Sequence, residues 1–241
     1  MYPDFNNQQQ TPPPYYGGAA VARQANSVMK RVYVRMFIGL LVSAFCALGV
    51  ASSPAALNFV FGNAIMRWGI LIAMFAMAFI IPARLGKMAS GTVLILFLVF
   101  SALMGTWMSA IFLAYKMSAI VATFFITAGT FGAMTVYGYF TKTDLTKMGS
   151  FLMMALFGLI IAMIVNIFLH SGTMSYIISI IGVLIFTGLT AWDTQQVKQL
   201  AAANLDPALA DKLATMGAMN LYLDFINLFL FILRIFGGSR D

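Results

Sequence analysis

The chain alternates between long apolar runs and short polar breaks. Apolar runs of near-spanning length fall at about 33–51, 65–81, 92–113, 117–139, 148–169, 176–197 and 216–236. Each is close to the ~20 residues a helix needs to cross a bilayer core, so the pattern predicts seven transmembrane helices. Turn and breaker residues separate them: Pro54, Pro82 with Gly86, the polar segment 141–147, Ser171 with Gly172, and a longer polar connection over 198–215. The second run is short and begins around Arg67, whose long stem has to carry its charge back to the interface. Residues 1–27 are rich in Gln, Asn and Pro and lack the apolar stretch of a cleaved signal peptide. They read as a disordered tail before a transmembrane domain over 28–241.

Composition narrows the class further. Of 241 residues 61% are hydrophobic and 9% charged, which excludes an ordinary soluble domain. Seven spans with short loops use up the length and leave no room for a separate catalytic domain. The net charge of +7 comes from cations scattered singly between apolar runs, the pattern of flanking anchors facing anionic lipid, so nucleic acid is not a partner. Arg23, Lys30, Arg31, Arg35, Arg84, Lys87, Lys142, Lys147, Lys198 and Lys212 fall on one side of the predicted topology. Arg67, Lys116 and Arg240 fall on the other, with Arg234 near the end of the last run. Cations are retained in the cytoplasm, so the N-terminus is expected inside and the C-terminus outside. Cys46 has no partner cysteine and reads as a small apolar residue.

All seven acids are Asp. An ionisable group inside a bilayer costs several kcal/mol unless paired or hydrated, so each such residue is a candidate for function. Two qualify. Asp193 lies near the end of the sixth run and Asp224 about two turns into the seventh, at similar depth from the cytoplasmic face. Asn220, Asp224 and Asn227 share one helical stripe by spacing, and Thr190, Asp193 and Gln196 another. Should the two stripes face, the carboxylates form a pair that titrates as one coupled unit. Deprotonated, it offers hard oxygen ligands suited to Ca²⁺, completed by Asn and Thr oxygens. Protonated, it is a hydrogen-bonded plug. The plainer reading makes each Asp a satisfied interhelical hydrogen-bonding group. Asp144, Asp206 and Asp211 fall in predicted loops, where solvation explains them.

Other polar residues carry less. His170, four residues after Asn166, reads as an interfacial anchor rather than a proton relay. Thr123, Thr127 and Thr130 share a helix face, where such hydroxyls usually bond their own backbone or join neighbouring helices. The 18 Met and 22 Phe are spread through the spans as packing residues. One histidine and one cysteine leave no basis for a Cys/His metal site or a Ser/His/Asp triad, and no resident cofactor is expected.

The segments Phe140-Thr141-Lys142-Thr143-Asp144-Leu145, Thr190-Ala191-Trp192-Asp193-Thr194-Gln195 and Leu221-Tyr222-Leu223-Asp224-Phe225-Ile226-Asn227-Leu228-Phe229 resemble the Bax inhibitor-1 family, most closely its bacterial inner-membrane branch. The resemblance runs from about Met29 to Gly237. It implies a seven-helix fold with the last helix central and the other six wrapped around it. It further implies a pH-sensitive Ca²⁺ leak in which the aspartates matching Asp193 and Asp224 are both proton sensor and Ca²⁺ site. In that family a basic residue near the end of the second helix latches onto the sixth-helix aspartate when closed. Lys87 and Arg84 both fall in that region; Lys87 fits the ungapped alignment better, and a lysine lacks the bidentate fork of arginine. Trp192 stands where many members carry Tyr.

Three readings compete. A leak channel would be open to Ca²⁺ when the pair is deprotonated and closed when it is protonated or latched, so its flux falls with acid. An intramembrane aspartyl protease also places one Asp on each of two helices, but its Gly-x-Gly-Asp context is absent here, where the residues are Tyr222-Leu223-Asp224. The third is a regulatory protein without ion transport, a modulator of a membrane-bound protease or of cell death, as relatives of the family imply, with the tail as its handle.

Overall fold

Apolar runs become helices in a bilayer because only a helix satisfies every backbone polar group within its own segment. The computed structural model describes residues 17–203 and 206–237, and every long element among them is helical. Seven helices are long and apolar enough to cross a membrane. They are α1 (Gly17–Ala51), α2 (Ala64–Arg84), α3 (Ser90–Met108), α4 (Met117–Phe140), α5 (Thr146–Leu169), α6 (Gly172–Ala202) and α7 (Pro207–Phe236). The chain is a multi-pass, all-α membrane protein. Large apolar side chains such as Phe45, Phe75, Phe125, Phe157 and Phe168 stand exposed on its outside, the arrangement of a protein whose solvent is lipid.

Helix ends depart from the apolar runs where polar residues continue a helix beyond the bilayer. α1 begins at Gly17, inside the segment read as tail; residues 1–16 lie outside the described ones. The expected long connection over 198–215 is not there: α6 runs on to Ala202 and α7 starts at Pro207. Lys198, Gln199, Asp211 and Lys212 lower the hydropathy over these stretches, while their Ala, Leu and Lys residues favour helix. The start of α7 is fixed by Asp206, whose carboxylate accepts from the Ala208 and Leu209 N–H groups at 3.0 and 3.2 Å, followed by Pro207 in the first turn. At α2, Asn63 caps the helix, and the Arg67 guanidinium donates back to the Phe61 carbonyl at 3.0 Å, which keeps its charge at the helix end. His170 closes α5 in the left-handed conformation, φ 50°, with its ring nitrogen 3.2 Å from the Phe168 carbonyl.

The last helix is the core of the bundle. Sixteen of its thirty residues are buried, whereas only Gly149 and Leu159 are buried in α5. The packing corrects one expectation. α1, α3, α4 and α6 ring α7, while α2 packs chiefly against α3 and α5 against α6, forming an outer layer rather than part of the wrap. Between Ala214 and Leu233 every α7 residue is buried except Met216, Asn220, Leu223, Asn227 and Leu230. Their spacing of four, three, four and three residues makes a single stripe left uncovered by the ring. Two close crossings rest on glycine: a Cβ at Gly105 would run into the Ser43 backbone across α3 and α1, and one at Gly138 into the Ala191 backbone across α4 and α6.

Candidate functional site

Asp224 sits seventeen residues into α7, deeper from the helix start than its apolar run suggests, because the helix begins nine residues before that run. It is buried, 4% exposed, on the face of α7 that meets α6. Asp193, half-buried on α6, brings its carboxyl within hydrogen-bonding reach of the Asp224 carboxyl. The Asp224 Oδ2 oxygen is buried and accepts from no donor among the described residues. Two carboxylates are acceptors only, so their contact becomes a hydrogen bond only when one of them carries a proton. This is the chemistry of the site: a coupled pair inside the bundle, without a cation beside it among the described residues, that either shares a proton or presents two oxygen ligands.

The other sequence candidates are placed differently. Thr190 is buried, but its hydroxyl donates to the Phe186 carbonyl of its own helix at 2.7 Å, and Gln196 makes no hydrogen bond among the described residues. Asn227 donates to the Leu223 carbonyl at 2.8 Å, and Asn220 is exposed. The two asparagines lie on the uncovered stripe of α7, flanking Asp224 by about a turn on either side, while Asp224 itself turns inward. Arg84 at the end of α2 and Lys87 just after it are both exposed, and among the described residues neither pairs with Asp193. In this conformation the latch is not formed. Trp192 lays its indole over Gly149 of α5, so its ring docks the outer layer and does not join the pair. Thr127 and Thr130 bond the carbonyls of Thr123 and Ile126 on their own helix, as expected.

Three features went unread in the sequence. The first is a cation cluster at the head of α7. Arg35 of α1 donates to the Asp211 carboxylate at 2.6 Å, to the Asp211 carbonyl at 2.7 Å and to the Thr215 hydroxyl at 2.8 Å, and Arg31 reaches the same carboxylate oxygen at 3.1 Å. Asp211 is therefore a helical residue clamped to α1, not a solvated loop acid. The Asp206-Pro207 start signal could have placed it there. The second is Gln195, next to the expected Gln196. It accepts from the Leu145 N–H and donates to the Thr143 carbonyl, both at 2.8 Å, tying the α4–α5 connection to α6. The third is a buried hydroxyl chain that starts at Tyr222, two residues before Asp224 on α7. Ser43 of α1 donates to the Ser101 carbonyl of α3 at 2.7 Å, and the Ser43 and Tyr222 hydroxyls share a hydrogen bond of 2.7 Å. The Tyr222 ring meets Phe97 and Phe100 edge-on at 5.6 and 6.2 Å.

In that same connection Asp144 caps α5. Hydrogen bonds from the Thr146 hydroxyl and backbone N–H, at 2.6 and 2.9 Å, hold its carboxyl below the usual carboxylate range.

Comparison with known proteins covers nearly all of this architecture. A family profile described as inhibitor of apoptosis-promoting Bax1 matches residues 25–241. The inner membrane protein YbhL of Escherichia coli K12 is 43% identical over 214 residues, spanning 88% of this chain and 92% of that protein. A protein of Borreliella burgdorferi is 43% identical over 217 residues, spanning 90% and 94%. The protein YrjE of Lactococcus lactis is 38% identical over 228 residues, again 90% and 94%.

Proposed function

We propose that this chain, which belongs to the family described as inhibitor of apoptosis-promoting Bax1 and is a membrane protein of seven spans, is a Ca²⁺ leak gated by protonation of Asp193 and Asp224. The observation that carries the reading is the meeting of these two carboxyls inside the bundle, with one Asp224 oxygen lacking any donor among the described residues. A buried pair of this kind is expensive in a bilayer and is poorly explained as interhelical glue, since glue needs a donor for each acceptor.

The mechanism follows from the two protonation states. With one proton shared the pair is a singly charged hydrogen-bonded contact, and with two it is neutral; either draws α6 and α7 together and offers a passing cation little. With the proton gone, the carboxylates repel each other and present up to four hard oxygens. Ca²⁺ takes six to eight oxygen ligands, so water must supply the balance, and two carboxylates without a third acid hold it loosely enough to release. Asn220 and Asn227, on the partly covered stripe of α7 about a turn to either side of the inward-facing Asp224, are the side-chain amides of that helix closest in sequence to the pair, from which water would be handed on. Acid therefore closes the path and neutral pH opens it. The cations Lys30, Arg31, Arg35, Lys142, Lys147, Lys198 and Lys212 lie at one end of the bundle, which on the retention of positive charge faces the cytoplasm, with the N-terminus inside and the C-terminus outside. The membrane is then a bacterial inner membrane, as it is for YbhL.

Fluorescent-dye measurement of Ca²⁺ flux into proteoliposomes of the full chain, from pH 5 to 8, tests this. Wild type is expected to conduct less as the pH falls, and Asp193→Asn and Asp224→Asn each to lose the pH dependence. Absence of protein-dependent flux at every pH would overturn the leak and leave a membrane protein that works by regulating a partner.

A further inference from the structure

Away from the residues of the carboxyl pair, residues 30–38 of α1 and the first turns of α3 leave a groove of about 350 Å³ open to the outside of the bundle. Its lining has two halves. Lys30, Arg31 and Arg35 form one, contributing mainly their aliphatic stems, and Val34 and Ile38 of α1 with Leu94 and Leu98 of α3 form the other, so the wall itself carries almost no polar surface. We infer that this groove binds an anionic phospholipid, its phosphate held by Lys30 and Arg31 and one acyl chain lying against Ile38 and Leu98.

Charge is the first argument. Two cations converge on one carboxylate and a third stands beside them: Arg31 and Arg35 share a single Asp211 oxygen, at 3.1 and 2.6 Å, and Lys30 is exposed with no acceptor among the described residues. The cluster keeps two positive charges in excess. Arg31 also has donors to spare, since its Nε is buried without a partner while Nη1 alone serves Asp211. A guanidinium with free N–H groups is suited to phosphate oxygens.

Depth is the second argument. Lys30 and Arg31 lie just before the apolar run over 33–51, and Leu94 lies near the start of the run over 92–113. The cations therefore sit at the level of the headgroups. From Lys30 to Ile38 the helix rises about 12 Å, and over that distance the residues bordering the groove change from cationic to aliphatic. Head before tail, in the direction of the bilayer centre, is the order of a phospholipid. A free anion would leave the Leu94 and Leu98 half unused, and a second protein chain would have to present acid and aliphatic groups in the same order.

Native mass spectrometry of the detergent-solubilised full chain, titrated with phosphatidylglycerol and phosphatidylcholine of identical acyl chains, reads the site. Phosphatidylglycerol is expected to be retained in preference. Lys30→Gln and Arg31→Gln should each weaken it about fivefold. Lys147→Gln, an exposed cation outside the groove, should leave it unchanged. Leu98→Trp, which fills the apolar half without altering charge, should weaken it too, and millimolar inorganic phosphate should not compete. Equal retention of both lipids, an equal loss in Lys147→Gln, competition by phosphate alone, or an indifferent Leu98→Trp would overturn the assignment. Because Lys30 takes part in no hydrogen bond or ion pair among the described residues, Lys30→Gln keeps the test valid even if Arg31→Gln disturbs the clamp.

Discussion

Removing the Arg35 guanidinium by Arg35→Met, which keeps most of the apolar stem, should destabilise the protein far more than the same change at Arg31. Arg35 is 13% exposed and makes three hydrogen bonds of 2.6 to 2.8 Å to Asp211 and Thr215, whereas Arg31 is 38% exposed and makes one of 3.1 Å. Stripping one partner from a fully buried ion pair costs about 3–5 kcal/mol. Two facts reduce that here: Asp211 is 23% exposed, and it keeps Arg31 as a partner. About 2 kcal/mol is a reasonable expectation for Arg35→Met, against roughly 0.5 kcal/mol for the solvent-screened Arg31. For a chain of this size those figures correspond to a fall in Tm of about 4–8 °C and about 1–2 °C respectively. Cys46 is the one cysteine in the chain and is half-buried on α1, so a thiol-reactive fluorophore reports unfolding directly. High salt should shrink the Arg31 effect and leave most of the Arg35 effect. Equal shifts in the two variants, or none at Arg35→Met, would refute the clamp. So would a double-mutant cycle of Arg35→Met with Asp211→Ala that shows no coupling.

Two further outcomes are expected. Gly138→Ala places a methyl group in the Ala191 backbone and should cost about 1–3 kcal/mol as overpacking, whereas Gly132→Ala on the same helix meets open space and should be neutral in the same thiol assay; equal effects would mean that α4 and α6 are not in close contact there. Asp144 is held below the ordinary carboxylate range by Thr146, so its cap is complete above that range and is lost only as the pH falls through the lower folded value. Asp144→Asn should therefore leave any pH profile of flux between 5 and 8 unmoved, and a displaced profile would place the titrating group in the α4–α5 connection instead of in the bundle.

The sequence is informative here to the extent that one property, hydropathy, decides the outcome. Seven helices follow from the apolar runs because lipid leaves the backbone no alternative, and Asp193 and Asp224 are conspicuous because so few charges interrupt those runs. The same property misleads at 198–215, where Lys198, Lys212 and Asp211 break the apolar pattern without breaking the helix. Capping chemistry at Asp206 and Pro207 was the better guide to that boundary. Nor could hydropathy sort the layers: α5 is apolar all round and nearly unburied, while α7 carries Asn220, Asp224 and Asn227 and lies at the core. In a membrane the buried helix need not be the most apolar one, since lipid and protein interior are equally dry. The clamp of Arg35 on Asp211 joins residues 176 apart in sequence, and no local pattern announces it.

That clamp bears on how the carboxyl pair could work. α7 is tied to α1 at its head through Asp211 and Thr215, and again near Asp224 through the Tyr222 to Ser43 to Ser101 chain. α6 is held to α4 where Gly138 meets Ala191 and where Lys198 donates to the Tyr139 carbonyl, and to the α4–α5 connection through Gln195. Both helices that carry the pair are thus tied to their other neighbours close to it. α2 is different. It packs chiefly on α3, and its end brings Arg84 and nearby Lys87 to the surface without a partner among the described residues. Any cation that closes on Asp193 from that side has to travel with α2, across a single helix interface, while α6 and α7 stay where they are.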